Sequence, residues 1–171
     1  FLLICFLGRF ASVAQQPDSI YRLSLSELLN LKIELGSRVE QRTKFEALAP
    51  VDVFTSDQLV ETGCIDLGMA LQRVVSSVQY FTPILMDGAD HVYPLSIRGF
   101  GADQVLVLIN GKRYHQTAML FENSRINKGA AAVDFRTIPI RAVERIEILT
   151  DVAAAQYGSD AIAGIINIIL K

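Results

Sequence analysis

Three short segments in the last part of the chain constrain its fold most strongly. Val105–Ile109 is a continuous aliphatic run between turn residues, which is typical of a strand buried on both faces. Val143–Leu149 alternates charged and apolar side chains with the period of a half-buried strand. Residues 161–170 are predominantly apolar, rich in isoleucine, and too few to cross a bilayer as a helix. The sequence therefore predicts three strands of a small mixed sheet.

A hairpin and a surface loop are predicted around the first of these strands. The Asn110-Gly111 pair tolerates the positive φ angles that a type I′ turn needs, and residues 112–114 start the return strand. Residues 94–100 predict a further strand on the N-terminal side. Residues 115–132 are polar and aperiodic, which indicates a surface loop.

Short helices are predicted in the first half of the chain. After a predicted strand at residues 50–54, Thr55 and Gln58 have the spacing of a capping box, and Gly63 can end the helix in a left-handed conformation. A weak strand is predicted at residues 78–81. Before it, apolar side chains at i, i+3, i+4 and i+7 predict a second helix: Leu67, Ala70, Leu71 and Val74. Because strands and short helices interleave without regular βαβ spacing, the predicted fold class is α+β.

Composition and motifs argue against several functional classes. The 171 residues suffice for about one domain, and the formal charge of -2 gives no basic surface for nucleic acid. The Gly158-Ser159-Asp160 segment lacks the second glycine of a nucleophile elbow, so no catalytic residues are predicted. Asp87, Asp90 and His91 suggest a metal site, but a solvated loop is favoured because a bound metal needs more ligands. We therefore expect no enzyme activity, no cofactor and no metal.

The N-terminal region predicts export. Residues 1–14 combine a short apolar run with small residues suited to a signal peptidase, and they are interpreted as the remnant of a signal peptide. An apolar first helix of the mature chain is the alternative. Residues 15–46 are predicted to form a flexible N-terminus and residues 47–171 the folded domain. Cleavage after Ala14 leaves Cys64 as a lone thiol, for which a buried apolar role is favoured.

Four blocks in a fixed order resemble a known family. They are LSIRGFG at 95–101, VLVLINGKR at 105–113, ERIEIL at 144–149 and YGSDAIAGIINIILK at 157–171. In this order and spacing they resemble the plug domain of TonB-dependent outer-membrane receptors. The resemblance covers roughly residues 23–171. The chain departs from the family pattern at residues 150–152, where many members carry a glycine.

The resemblance implies a location and partners. It implies a plug inside a barrel of about 22 strands in the outer membrane of a Gram-negative bacterium, closing the pore and lending loops to ligand binding. The implied partners are the receptor's own barrel, the C-terminal domain of a TonB-type energy transducer, and a small ligand such as an iron chelate, cobalamin, a nickel complex or an oligosaccharide. An exported periplasmic interaction domain without a barrel is the alternative function.

Two groups of site residues follow from the resemblance. The energy-coupling box is a short alternating run that can add as a strand to a partner's sheet. It matches Ile33, Glu34, Leu35, Gly36 and Ser37; an ordinary edge strand or linker is the alternative. The side chains implied to face the ligand lie in and beside the loop after the hairpin: Tyr114, His115, Gln116, Phe121 and Asn123.

Two arginines form the third group. Arg98 and Arg145 each lie in an otherwise apolar predicted strand, where burial without an anionic partner is costly. The resemblance implies that both pair with carboxylates on the inner wall of the barrel. The alternative is that both reach water or pair within the chain, as Arg145 could with Glu144 or Glu147.

Overall fold

The computed structural model describes residues 32–33, 42–43, 51–82, 89–122, 127–150 and 157–171. The proposed signal segment, the box residues Glu34 to Ser37, Asp87 and Asn123 lie outside these residues. Within them, the strands are β1 (Lys32–Ile33), β2 (Arg42–Thr43), β3 (Val51–Thr55), β4 (Val78–Tyr80), β5 (Leu95–Ile97), β6 (Val105–Ile109), β7 (Lys112–Arg113), β8 (Val143–Leu149) and β9 (Gly164–Leu170). The α-helices are α1 (Ser56–Glu61) and α2 (Leu67–Val74), and the short 3-10 helices are Ala89–His91, Ala102–Gln104, Phe135–Thr137 and Ile140–Ala142.

The main sheet has five strands in the order β3-β8-β9-β6-β7. β6 and β9 are parallel, and the other neighbours are antiparallel. β4 pairs with β5, and β1 pairs with β2, in separate two-stranded sheets. This mixed sheet with a few short helices confirms the predicted α+β class. The parallel pairing of β6 with β9 was not predicted, because the sequence between them shows no crossover helix.

Apolar side chains cover both faces of the main sheet. On one face, Ile146 and Ile168 belong to the large core that also contains Leu59 of α1 and Leu71 of α2. The other face carries a smaller cluster: Val51, Leu106, Leu108, Leu149, Ala161 and Ile165. Burial on both faces explains why β6 has an uninterrupted aliphatic sequence rather than an alternating one. None of the described helices is long and apolar enough to span a bilayer.

Both predicted α-helices are present, with the local sequence signals that predicted them. Before α1, the Gln58 side chain accepts a hydrogen bond from the Thr55 backbone nitrogen at 3.0 Å, and Gly63 follows the helix with a φ of +69°. In α2 the predicted apolar stripe faces the core, while Gln72 and Arg73 are exposed. Pro139 directly precedes the short helix Ile140–Ala142, as its fixed φ favours.

Three strand predictions need correction. The strand expected over residues 94–100 ends at Ile97, because Arg98 and Gly99 turn the chain with φ angles of +54° and +77°. The strand expected over residues 161–170 begins at Gly164, whose φ is +149°. β8 was expected to be half buried, yet Glu147 on its charged side is fully buried.

Candidate functional site

A connected set of polar side chains crosses the second face of the main sheet. The Arg145 guanidinium on β8 donates to Glu147 Oε1 at 3.2 Å and to Glu144 Oε1 at 2.9 Å. Glu147 is 0% exposed, and its Oε2 lies 3.4 Å from the amide nitrogen of Asn167 on β9. Removal of a carboxylate from water is costly without a cation and hydrogen-bond donors, and Arg145 and Asn167 supply both.

The set continues into the hairpin between β6 and β7. Asn167 Oδ1 accepts a hydrogen bond from the Gly111 backbone nitrogen at 3.0 Å. Asn110 Oδ1 accepts one from the Leu170 backbone nitrogen at 2.9 Å. The turn residues have φ angles of +49° and +73°, as the predicted type I′ turn requires. Two asparagine side chains, Asn110 and Asn167, therefore hold the hairpin to the last strand. We call the connected residues Arg145, Glu147, Asn167 and Gly111 the polar relay.

The polar relay bears directly on the predicted role of Arg145. Its side chain is 20% exposed and pairs with the two carboxylates that the internal alternative named, Glu144 and Glu147. The second predicted barrel contact, Arg98, lies in the exposed turn after β5. Its guanidinium donates to the Thr150 carbonyl at 2.7 Å and to Thr150 Oγ1 at 3.2 Å. Arg98 is therefore held by neutral acceptors, whereas Arg145 already neutralises acids of its own chain.

The predicted ligand-facing loop is partly anchored. His115 and Gln116 are exposed, and the Tyr114 ring lies 4.4 Å from the His115 ring. Phe121 is only 2% exposed and packs in a small cluster with Ala89, Val92, Ala102 and Ala132. The prediction that Phe121 faces a ligand is therefore wrong for this conformation, because its ring serves as the apolar anchor of the loop. Asn123 lies outside the described residues.

Backbone hydrogen bonds fix the same loop. Phe121 N donates to Ala130 O at 3.2 Å, Gly129 N donates to Phe121 O at 2.8 Å, and Thr117 N donates to Ala132 O at 2.9 Å. Since Ala102 immediately precedes β6 in the chain, the Phe121 cluster lies at the end of β6 opposite the hairpin. The exposed loop residues and the hairpin therefore lie toward different ends of the sheet.

The remaining predicted sites are the energy-coupling box, the candidate metal site and Cys64. Ile33 lies in β1, opposite Arg42 of β2, and the other four box residues are outside the described part. The Asp90 carboxylate lies 3.8 Å from His91 Nε2, and the described residues contain no group of three metal-ligating side chains. Cys64 is a free cysteine that packs against the large core, but it is only partly buried and not buried as predicted.

Sequence reasoning missed Glu147 and Asn167 as a buried pair. The signal available was Asn167 itself, a lone amide within the run Ile165-Ile166-Asn167-Ile168-Ile169. A polar side chain at the centre of a buried strand requires a partner, and Glu147 lies directly opposite it in the β8–β9 register. That register could not be read from the sequence of either strand alone.

Comparison with known proteins decides what this arrangement is. The family model described as TonB-dependent Receptor Plug Domain matches residues 43–165, which include the main sheet up to the start of β9. The chain belongs to this plug family. The family is described as one of TonB-dependent receptors, and a relative is named an outer membrane protein.

Relatives of known sequence support the assignment to the plug family. The vitamin B12 transporter BtuB of Vibrio cholerae is 37% identical over 136 residues, which are 80% of this chain and 20% of the transporter. An iron-regulated outer membrane virulence protein of the same species is 27% identical over 159 residues, which are 87% of this chain and 24% of that protein. The chain spans about a fifth to a quarter of the length of these curated relatives.

A solved receptor has the same fold in its corresponding region. The crystal structure of a mutant ferric enterobactin receptor from Pseudomonas aeruginosa, in complex with enterobactin, superposes with a TM-score of 0.54 at 27% identity. The superposition covers 71% of this chain and 17% of the receptor. The plug assignment thus rests on both sequence and fold.

Proposed function

We propose that this plug closes the pore of an outer-membrane receptor that takes up a small metal complex by TonB-dependent active transport. The observation that carries the proposal is the plug-family match over residues 43–165, on a sheet that is buried on both faces. A sheet packed on both faces is a stiff body, which suits a plug that has to fill a pore. The exported interaction domain without a barrel is the less favoured alternative.

The ligand proposal rests on the relatives. One is named a vitamin B12 transporter, and another is a ferric enterobactin receptor. Cobalamin and ferric chelates are both metal–organic complexes, and we assign this class to the receptor in preference to an oligosaccharide. Tyr114, His115 and Gln116 are the described side chains proposed to face the ligand, because they are at least partly exposed beside an anchored loop.

Coupling to the energy transducer is assigned to Ile33, Glu34, Leu35, Gly36 and Ser37. Addition of this segment to a sheet of the transducer's C-terminal domain would use backbone hydrogen bonds for affinity. Arg98 keeps its proposed role as a contact for a barrel carboxylate, because its partners among the described residues are neutral. For Arg145 we propose instead that neutralisation of Glu147 is the main role.

The test uses the full-length receptor with its barrel. Leu35→Pro removes a backbone N–H donor and is expected to abolish uptake of radiolabelled cobalamin or ferric enterobactin, whichever the receptor binds, while Leu35→Ala only weakens it. Both variants should bind the ligand at the cell surface as the parent does. Equal uptake by the two variants would contradict the strand-addition proposal.

Gating is tested separately in planar bilayers. The intact receptor is expected to conduct few ions, whereas deletion of residues 47–171 should open a large, steady conductance because the pore loses its plug. The Leu35→Pro variant is the matched control and should stay closed, since it leaves the folded domain intact. A deletion variant that inserts normally yet stays closed would sink the gating proposal.

A further inference from the structure

The Phe121 cluster draws its members from three separate segments of the chain. Ala89 and Val92 lie in and directly after the 3-10 helix Ala89–His91, and Ala102 begins the 3-10 helix before β6. Phe121 and Ala132 belong to the loop that follows the hairpin. The cluster is separate from the two apolar clusters that cover the main sheet. Small satellite clusters of this kind form under long loops.

A hydrogen bond joins the loop to the segment before β6 a second time. Asn127 Oδ1 accepts a hydrogen bond from Ala102 N at 2.9 Å. Asn127 has a φ of +62°, a left-handed conformation that asparagine adopts more readily than most residues. The Phe121 ring and the Asn127 amide therefore make two distinct contacts with Ala102, one apolar and one polar.

The Phe121 cluster is connected to the proposed ligand-facing residues through Ala132. The Ala132 carbonyl accepts hydrogen bonds from Thr117 N at 2.9 Å and from Thr117 Oγ1 at 3.1 Å. Thr117 directly follows Gln116 in the chain. A displacement of the Phe121 ring would release Ala132, and with it the bonds that fix the end of the segment from Tyr114 to Gln116.

We propose that Phe121 is a positioning residue for ligand binding, which holds the three segments as one unit. Tyr114, His115 and Gln116 then meet the ligand in an ordered arrangement, while the buried Phe121 ring does not touch it. A loop that is ordered before binding avoids the loss of affinity that ordering during binding would cause. This inference rests on the proposed function, which assigns those three side chains to the ligand.

The coupling between segments is tested without ligand, by hydrogen exchange and mass spectrometry on the full-length receptor. Phe121→Ala leaves a space that the small neighbouring side chains cannot fill. We expect amide exchange to accelerate about tenfold in peptides that cover residues 89–92 and 101–104, as well as in the loop. Peptides from β8 and β9 should exchange as in the parent. Phe121→Leu keeps most of the apolar volume and should restore most of the protection.

Variants of Asn127 test the same unit while the ring stays in place. Asn127→Gly accepts the positive φ but lacks the Oδ1 acceptor, so exchange at residues 101–104 should accelerate. Asn127→Asp is the matched control, because it keeps an oxygen acceptor and also tolerates the left-handed conformation. Its exchange at residues 101–104 should remain close to that of the parent.

Ligand affinity separates a positioning role from a merely structural one. Cyanocobalamin and ferric enterobactin are each titrated against the parent receptor, and the probe that binds is then used with the variants. Phe121→Ala should weaken binding about tenfold, and Phe121→Leu by less than about threefold. Leu71→Ala is the matched control: it removes buried apolar volume from the large core, outside the Phe121 cluster, and should change the affinity by less than about twofold.

Three results would overturn the proposal. The first is faster exchange of the Phe121→Ala variant in the loop alone, with residues 89–92 and 101–104 unchanged. The second is an equal loss of affinity in Phe121→Ala and Leu71→Ala, and the third is parent affinity in Phe121→Ala. A parent receptor that binds neither probe would instead contradict the proposed ligand class, and the exchange rates would then support or overturn the coupling by themselves.

Discussion

At the scale of single residues, the ring of Tyr80 stabilises the fold by packing, whereas its buried hydroxyl group lowers the stability. The ring packs against Gly68 of α2, where an added Cβ would lie 2.2 Å from two ring carbons, and it stacks on Tyr93 at 6.1 Å. Its hydroxyl oxygen is buried without a hydrogen-bond partner among the described residues. Burial, followed by the charge of Asp66, raises the pKa of Tyr80 above its usual value of 10.0.

The pKa direction predicts a loss of stability in alkali. Above pH 10 the unfolded chain releases the Tyr80 proton while the folded chain keeps it, so the free energy of unfolding falls by up to about 1.4 kcal/mol per pH unit. Tyr80→Phe removes this contribution and, at pH 8, is expected to be neutral or stabilising by about 1 kcal/mol, since no bond is lost. Urea unfolding of the parent chain and of the Tyr80→Phe variant at pH 8 and pH 11 measures this difference in stability. Parallel pH profiles would contradict the assignment.

At the scale of secondary-structure elements, the polar relay joins β8, β9 and the hairpin through Asn167. Asn167→Leu fills a similar volume but leaves the Gly111 N–H without its Asn167 acceptor and removes one hydrogen-bond donor from Glu147. We expect a loss of about 1–3 kcal/mol in the free energy of unfolding, measured with urea at pH 7. Gln79→Leu, at an exposed position of β4, is the control and should stay within about 0.5 kcal/mol. A similar loss in the free energy of unfolding of both variants would show that the polar relay does not account for the effect of Asn167→Leu.

Sequence reasoning succeeded for elements whose signals are local. The Gln58 cap before α1, the Asn110-Gly111 turn and the apolar stripe of α2 all depend on residues a few positions apart, and the structure confirms them. The charged side of β8 was misjudged for the opposite reason. Alternation of Arg145 and Glu147 with isoleucines indicates two faces, but not whether other parts of the chain cover the second one.

Long-range pairing accounts for the other omissions at this scale. The parallel register of β6 with β9 joins residues that lie far apart in sequence, and no crossover helix announced it. Arg98 was placed in a strand because its neighbours are apolar. Its positive φ accompanies a contact with Thr150, which is 52 positions away. The plug family was therefore identified correctly by motif, while the partners of the two arginines within the chain required the fold.

At the scale of the whole molecule, the hairpin and the loop anchored by Phe121 lie toward opposite ends of the main sheet. The hairpin and the end of β9 meet at one end, where Lys171 N donates to Ala142 O at 3.0 Å beside the last 3-10 helix. A groove lined by Ile65, Ile140 and Arg141 includes part of that 3-10 helix and so lies toward the same end. The loop anchored by Phe121 lies toward the other end. A plug with different features at its two ends can present separate surfaces to a ligand and to a partner protein.

The proposed docking of the plug in its barrel is tested at Arg98. Arg98→Met removes both the charge and two hydrogen bonds to Thr150, and we expect a loss of about 0.5–1.5 kcal/mol in the stability of the isolated chain. In the full-length receptor it should also raise the ion leak in planar bilayers, because a barrel carboxylate loses its partner. Thr150→Val is the matched control: it removes one acceptor of the Arg98 guanidinium but keeps the charge, so the leak should stay low. An equal leak in both variants would confine the role of Arg98 to the Thr150 contact within the plug.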